Sequence, residues 1–210
     1  MKSWPPILFL VTATLFMLLQ ACSRPLDPEN ACGFVQDPRQ RRVSWPKSAL
    51  PVRFYIHESV PKDRIPAIER AAREYNTKIG NGRDVITIVA REVSGGTDSK
   101  ADGYSMIYWV KEWTPASRAR DEQARTSIYW VGTNIYEADL RVNAGFRHNF
   151  GENSDFTELD LTSLMVHEFG HALGLTHTAT PGSVMNFSLD EGQNRRELGE
   201  SDLANLRCEY

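Results

Sequence analysis

The stretch HEFGHALGLTH, residues 167 to 177, limits the folds open to this chain more than any other feature. The chain has five histidines, and three of them, His167, His171 and His177, lie in this stretch. On a helix, His167 and His171 are four residues apart, so their side chains leave the same face with Cβ atoms about 5 to 6 Å apart. Two imidazoles at that separation can bind one metal ion.

Gly174, between the second and third histidines, accounts for the position of the third histidine. If the helix continued, the six residues after His171 would rotate His177 by about 600°, away from the metal-facing side. We expect the helix to end at Gly174, because glycine adopts a positive φ without a Cβ penalty. The chain can then bring His177 back toward the ion. Three neutral nitrogen ligands around an open fourth position are typical of a catalytic zinc, whereas a structural zinc site is closed.

Glu168 follows the first histidine and projects about 100° further round the helix. It can therefore reach a metal-bound water without being a third ligand, which predicts the general base of a hydrolase. The alternative is a surface helix with incidental histidines. A chance match at five fixed positions is expected about once in 10⁵ chains of this size at ordinary residue usage, so we predict one catalytic Zn²⁺.

The stretch resembles the HExxHxxGxxH signature of the metzincin metallopeptidases. Met185, eight residues after His177, lies in a Ser-Val-Met sequence similar to the methionine-containing turn of the matrixins. The resemblance implies an α+β zincin domain: a mixed, twisted sheet of about five strands, an active-site helix and a C-terminal helix. It implies a zinc endopeptidase of protein or peptide substrates, with Met185 packed beneath the ligands. It also implies that Asp202, in the C-terminal helix, hydrogen-bonds the methionine turn.

The sequence departs from the family pattern at several positions. Asn186 and Phe187 follow Met185, so the tyrosine two residues on that supplies a fifth ligand in astacins is missing. His148 and Asp155 do not rebuild the structural zinc site of vertebrate matrixins. The acidic loop from residue 152 to 160 could hold Ca²⁺, although its spacing does not decide this. A catalytically inert zincin-fold surface binding protein remains the alternative function.

Hydrophobic periodicity predicts the remaining elements. Alternating Val52, Phe54 and Ile56 indicate a strand, and three- and four-residue steps from Ile65 to Ile79 indicate a helix. Resemblance to the family makes the strand at 127 to 131 the edge strand that pairs with extended substrate. We predict further strands at 85–93, 104–110 and 136–142, an active-site helix at 161–173 capped by Asp160 or Thr157, and a metallopeptidase domain at 43–210.

The first 42 residues are predicted to lie outside that domain. An apolar run from residue 7 to 19, too short for an ordinary membrane span, predicts a signal peptide over residues 1–21. Its end, Leu19-Gln20-Ala21-Cys22, resembles the lipobox of bacterial lipoproteins, which implies lipid modification of Cys22 and a membrane anchor. A plainly secreted protein or an uncleaved anchor is the alternative. Residues 22–42 are polar and read as a tether or loosely packed lead-in.

Two further cysteines, Cys32 and Cys208, form an even pair in an exported chain, which predicts a disulfide. By the chain-entropy model it contributes about 4 to 5 kcal/mol. Cys32-Gly33 with Asp37 nearby also resembles the cysteine switch of matrixin zymogens, in which a thiolate binds the zinc. The formal net charge is −3, with 24 Lys+Arg against 27 Asp+Glu. It indicates no nucleic-acid partner, and we expect a monomer.

Overall fold

The computed structural model of the chain describes residues 32–113, 122–145, 149–152 and 157–210. These residues form one five-stranded sheet, a two-stranded ladder and three α-helices, which confirms the predicted α+β class. In chain order the elements are β1 (Val52–His57), α1 (Ile65–Ile79), β2 (Ile86–Val93), β3 (Ser105–Val110), β4 (Ala124–Val131), β5 (Asn134–Asn143), β6 (Phe150–Gly151), β7 (Leu159–Asp160), α2 (Leu161–Ala172) and α3 (Glu200–Leu206).

The five-stranded sheet is mixed and has the order β2-β1-β3-β5-β4. Three of its pairs are parallel, and only β4 runs antiparallel, beside β5. Because β4 is the last strand in the order, one side of its backbone has no partner strand within the described sheet. Such an edge can add an extended peptide through main-chain hydrogen bonds. The strand begins at Ala124, three residues before the predicted start at Ser127.

Aromatic packing fixes the position of α2 beneath the sheet. In β1 the side chains of Val52, Phe54 and Ile56 are all buried, as their alternation predicts. The rings of Phe54 and Tyr75 pack against Phe169 of α2, with centroids 5.2 and 6.5 Å apart. The Tyr75 hydroxyl also donates a hydrogen bond of 2.7 Å to the main-chain oxygen of Val166. These contacts join α1, α2 and the sheet in one hydrophobic core.

The packed part of the chain begins earlier than the predicted boundary at Val43. Phe34 is 3% exposed and forms a β-bridge with Leu175, and the Val35 amide donates to the Gly174 oxygen at 2.8 Å. The segment from residue 32 to 42 therefore covers the end of α2, because it buries an apolar ring there and cannot act as a free tether. The predicted signal peptide and Cys22 lie outside the described residues, as do His148 and Asp155.

The two ends of the described chain meet beside this segment. Cys32 and Cys208 are joined by a disulfide, so Cys32 carries no thiol for a metal ion. The Tyr210 hydroxyl donates to the Leu173 oxygen at 2.6 Å and accepts from the Trp45 amide at 3.1 Å. Within the described segments, no helix combines the length and apolar character needed to cross a bilayer.

Candidate metal centre

Helix α2 carries the first two predicted ligands, and both of its ends are set by specific residues. At the start, the Asp160 carboxylate accepts hydrogen bonds from the Ser163 amide at 2.7 Å and the Ser163 hydroxyl at 2.6 Å. Asp160 is therefore the capping residue, and Thr157 is not. At the other end, Gly174 has a φ of +103°, and a Cβ atom there would lie 2.5 Å from the main-chain oxygen of Val43. Only glycine fits this turn without strain.

The turn at Gly174 brings the three histidines together. The Nε2 atom of His171 lies 3.0 Å from those of His167 and His177, and the last two are 3.1 Å apart. On the opposite side of the rings, Nδ1 of His167 and of His171 bonds the main-chain oxygens of Val184 and Leu175 at 2.7 and 2.8 Å. Because a carbonyl oxygen only accepts, each of these Nδ1 atoms carries the proton and each Nε2 presents a lone pair.

This arrangement of nitrogen atoms fits a zinc ion. Tetrahedral zinc with Zn–N bonds of about 2.0 to 2.1 Å places its ligand nitrogens about 3.3 Å apart, within a few tenths of an ångström of the observed separations. Burial lowers the pKa of His167 and His171 to about 4 and also lowers the pKa of His177. All three imidazoles are therefore neutral near pH 7. They form the one group of three potential ligands found among the described residues.

Glu168 lies beside the histidines with its side chain buried, at 4% exposure. Its Oε2 atom accepts a hydrogen bond of 2.5 Å from the hydroxyl of Thr126, in the edge strand β4. Burial raises the pKa of Glu168, while the nearby His171 and the Thr126 hydroxyl act in the opposite direction. A carboxylate with a raised pKa is a stronger base, as general base catalysis near neutral pH requires. Sequence analysis missed Thr126, because a contact across 42 residues leaves no local pattern.

Met185 and Asp202 support the site from below. Met185 is 1% exposed, and a Cβ atom on Gly170 would lie 2.3 Å from its sulfur, so any larger residue at this position of α2 would displace the Met185 side chain. The Asp202 carboxylate accepts hydrogen bonds from the Ser183 hydroxyl and, at 2.9 Å, from the Val184 amide. Asp202 thus holds the turn in which the Val184 oxygen orients His167. The sequence pattern did not predict this role of Val184.

A cleft of about 500 Å³ lies beside the three Nε2 atoms. The histidines and Glu168 form its floor, β4 forms one side, and the loop after Met185 closes the other. This cleft has room for an extended peptide along the edge strand. Its wall consists of Val35, Glu122, Gln123, Ala124, Arg125, Thr126, Ile128, Ser163, Leu164, Leu175, Val184, Asn186, Phe187, Ser188, Leu189, Asp190 and Arg195, in addition to the floor residues.

Of the three carboxylates in the described part of the acidic loop 152–160, those of Glu152 and Asp160 are paired with arginines. The Glu152 carboxylate forms an ion pair with Arg70, and the Asp160 carboxylate forms one with Arg196. Both carboxylates are thus occupied by arginines. The middle of this loop, residues 153–156, lies outside the described residues.

A mixed sheet, an active-site helix with three converging imidazoles and a methionine turn together define a metallopeptidase domain of the zincin class. Residues 87–210 match the family model described as Matrixin. The chain belongs to the matrixin family, whose members are zinc-dependent peptidases acting on proteins or peptides. It is also 28% identical over 172 residues to matrix metalloproteinase-25 of Mus musculus, a match that covers 78% of this chain and 26% of that protein. The match therefore spans about a quarter of that relative's length.

Proposed function

We propose that this chain is a zinc-dependent endopeptidase in which His167, His171 and His177 bind one zinc ion and Glu168 is the general base. The observation that carries the proposal is the convergence of three Nε2 atoms, 3.0 to 3.1 Å apart, beside a buried carboxylate. The cleft runs along a free sheet edge, which favours an extended peptide as the substrate.

When bound here, zinc supplies Lewis acidity, which polarises a peptide carbonyl and makes water a better nucleophile near neutral pH. The protein's own groups move the proton. Because the Thr126 hydroxyl occupies Oε2 of Glu168, Oε1 is the atom free to accept the proton of the attacking water. Glu168 then donates this proton to the departing amine, which completes cleavage of the peptide bond.

Two further groups of residues position the reactants. The main-chain oxygens of Val184 and Leu175 hold the His167 and His171 rings so that their lone pairs face the cleft. The exposed edge of β4 aligns the substrate backbone across the floor. Substrate orientation therefore depends on the sheet, and ligand orientation depends on α2 and the turn after it.

We also propose that the chain is exported and carried as a monomer on a bacterial membrane through lipid at Cys22. This part of the proposal rests on the apolar leader and the Leu19-Gln20-Ala21-Cys22 sequence. Metabolic labelling with a fatty acid tests it: the parent protein is expected to incorporate the label, and Cys22→Ala is expected to incorporate none.

Replacement of the base tests the enzymatic part. We expect Glu168→Gln to bind one zinc per chain, as the parent does, and to lose nearly all metal-dependent cleavage of a diverse peptide library. Mass spectrometry of new peptide termini, with and without a chelator, provides the measurement. A parent protein that binds zinc and produces no new termini is an inert binding protein, and a Glu168→Gln variant with full activity has a different base.

A further inference from the structure

Arg195 lies in the wall of the cleft, and its guanidinium is not directly paired with a carboxylate among the described residues. Its guanidinium donates hydrogen bonds to two main-chain oxygens, that of Ser183 at 3.4 Å and that of Ser188. The Nε–H group is buried and has no hydrogen-bond partner among the described residues. Burial lowers the pKa of Arg195, while the Asp190 and Asp202 carboxylates, which form no ion pair with it, act in the opposite direction. Within the described chain it forms no ion pair.

The next residue, Arg196, shows how a structural arginine is held in the same loop. Its Nε lies 3.0 Å from both oxygens of the Asp160 carboxylate, and its Nη2 donates to Asp160 and to the Glu152 main-chain oxygen. Arg196 therefore fixes the loop to the start of α2 and is neutralised there. Its neighbour Arg195 lines the cleft and retains N–H donors that no described residue accepts.

The other charged groups of the cleft wall have partners of their own. Arg125 donates to both oxygens of Glu122, at 2.9 and 2.7 Å. The Asp190 carboxylate accepts a hydrogen bond of 2.9 Å from the side-chain amide of Gln193. Glu168 serves as the general base in the proposed reaction. Among the described residues of this wall, Arg195 is thus the arginine available to an incoming anion.

The position of Arg195 along the cleft indicates which substrate residue it meets. The Gln123 side chain donates to the Leu189 oxygen at 2.7 Å, so the loop that Arg195 braces lies beside the start of β4. Thr126, which holds the general base, lies further along the same strand. A peptide that pairs antiparallel to β4, the more stable pairing, runs from the general base toward the start of this strand. The residue after the cleaved bond therefore reaches Arg195.

We propose that Arg195 makes this cleft selective for an acidic side chain, Asp or Glu, on the residue that follows the cleaved bond. The inference rests on the proposed endopeptidase function and adds a substrate class to it. A carboxylate entering the cleft accepts hydrogen bonds from the Nη1–H and Nη2–H groups that the Ser183 and Ser188 oxygens leave unused, in the paired geometry that arginine offers. A neutral amide of the same shape lacks the charge and makes weaker hydrogen bonds.

Cleavage of matched peptides tests the selectivity. The parent protein is expected to enrich Asp and Glu after the cut in a peptide library, and to cleave an Asp peptide about tenfold faster, in kcat/KM, than its Asn counterpart. Arg195→Met should lose this ratio, and Arg195→Glu should shift the preference to Lys and Arg, a gain that a misfolded protein cannot show. Arg125→Met is the matched control, since Arg125 is already paired, and its Asp-to-Asn ratio should equal that of the parent.

Binding provides a second readout that does not depend on turnover. In the zinc-loaded Glu168→Gln protein, titration calorimetry is expected to show the Asp peptide binding about tenfold more tightly than the Asn peptide, and Arg195→Met should remove the difference. Equal binding and equal cleavage of the two peptides would overturn the role of Arg195. An absence of all cleavage counts against the endopeptidase function, while this binding comparison still decides the selectivity.

Discussion

The histidine side of the cleft, residues 160–202, and the strand side, here β4 with its partner β5 and the loop 99–103 that is hydrogen-bonded to both, are held by different kinds of contact. On the histidine side, the hydrogen bonds that orient the ligands and their turn join residues near one another in sequence: His167 and Val184 are 17 residues apart, and Ser183 and Asp202 are 19 apart. On the strand side, the loop amides of Lys100 and Gly103 reach buried carboxylates 39 and 34 residues away.

The difference predicts which property is lost when a residue on each side of the cleft is changed. The histidine side depends on backbone geometry, because a turn at Gly174 decides whether the third imidazole reaches the other two. The strand side depends on two buried carboxylates, Glu137 and Asp139, that accept hydrogen bonds from amides of the loop 99–103 and, for Asp139, from the Met106 amide of β3. We therefore expect changes on the histidine side to remove zinc, and changes on the strand side to lower stability or turnover while zinc stays bound.

The largest effect is expected from Gly174→Ala. Its Cβ atom meets the Val43 oxygen at 2.5 Å and its φ of +103° is strained for alanine, so we expect a loss of about 2 to 4 kcal/mol in unfolding free energy and much weaker zinc binding. Gly182→Ala is the control. Gly182 also has a positive φ, +77°, but nothing lies within 4 Å of its added Cβ, so a loss of about 1 kcal/mol is expected. Urea unfolding and zinc titration measure both; equal losses in the two variants would contradict the account.

On the strand side, Asp139→Asn is expected to lower the unfolding free energy by about 1 to 3 kcal/mol and to leave zinc binding intact. Asp139 is 1% exposed, and its oxygens accept from the Met106 amide at 3.0 Å and the Lys100 amide at 3.1 Å. An asparagine offers one acceptor oxygen in place of two. Asp98→Asn, at a carboxylate 95% exposed, should change stability by less than about 0.5 kcal/mol. Loss of zinc from Asp139→Asn would break the proposed separation of the two sides.

Thr126 links the two sides, because its hydroxyl donates a hydrogen bond to Oε2 of Glu168. Thr126→Val removes this hydrogen bond. We expect kcat to fall about tenfold with zinc content unchanged. The Thr126 hydroxyl lowers the pKa of Glu168, so its loss should also move the acid limb of the kcat profile to higher pH. Thr126→Ser should restore both properties. An unshifted pH profile in the valine variant would mean that Thr126 has only a structural role.

The smallest effect concerns pH in the metal-free protein. His167 and His171 have pKa values of about 4 when buried, below the value of about 6.5 in an unfolded chain. The unfolded state therefore binds more protons between these values, and stability falls as the pH decreases from about 6.5 to about 4. We expect a loss on the order of 1 kcal/mol between pH 7.5 and pH 6, measured by urea unfolding after zinc removal. The double variant His167→Gln/His171→Gln should lack this component.

The same contrast explains what the sequence could predict. The spacing of His167 and His171 and the glycine at 174 act within a few turns of one helix, so local rules locate the helix end and the matching faces. Thr126 could not be found in this way, because its contact with Glu168 spans 42 residues. Arg195 bonds main-chain oxygens only 12 and 7 residues away, but the position of its loop beside β4 depends on the long-range contact between Gln123 and Leu189. The early start of the packed domain was missed for a similar reason, since a single apolar ring, Phe34, anchors an otherwise polar segment.

Zinc coordination in the purified protein tests the central claim most directly. X-ray absorption spectroscopy on the zinc-loaded protein is expected to show one zinc per chain with three imidazole nitrogens at about 2.0 to 2.1 Å and one oxygen ligand. In His177→Ala, the count of imidazoles should fall to two and zinc should bind at least about tenfold more weakly. A zinc environment unchanged by His177→Ala, or one that contains sulfur, would contradict the account.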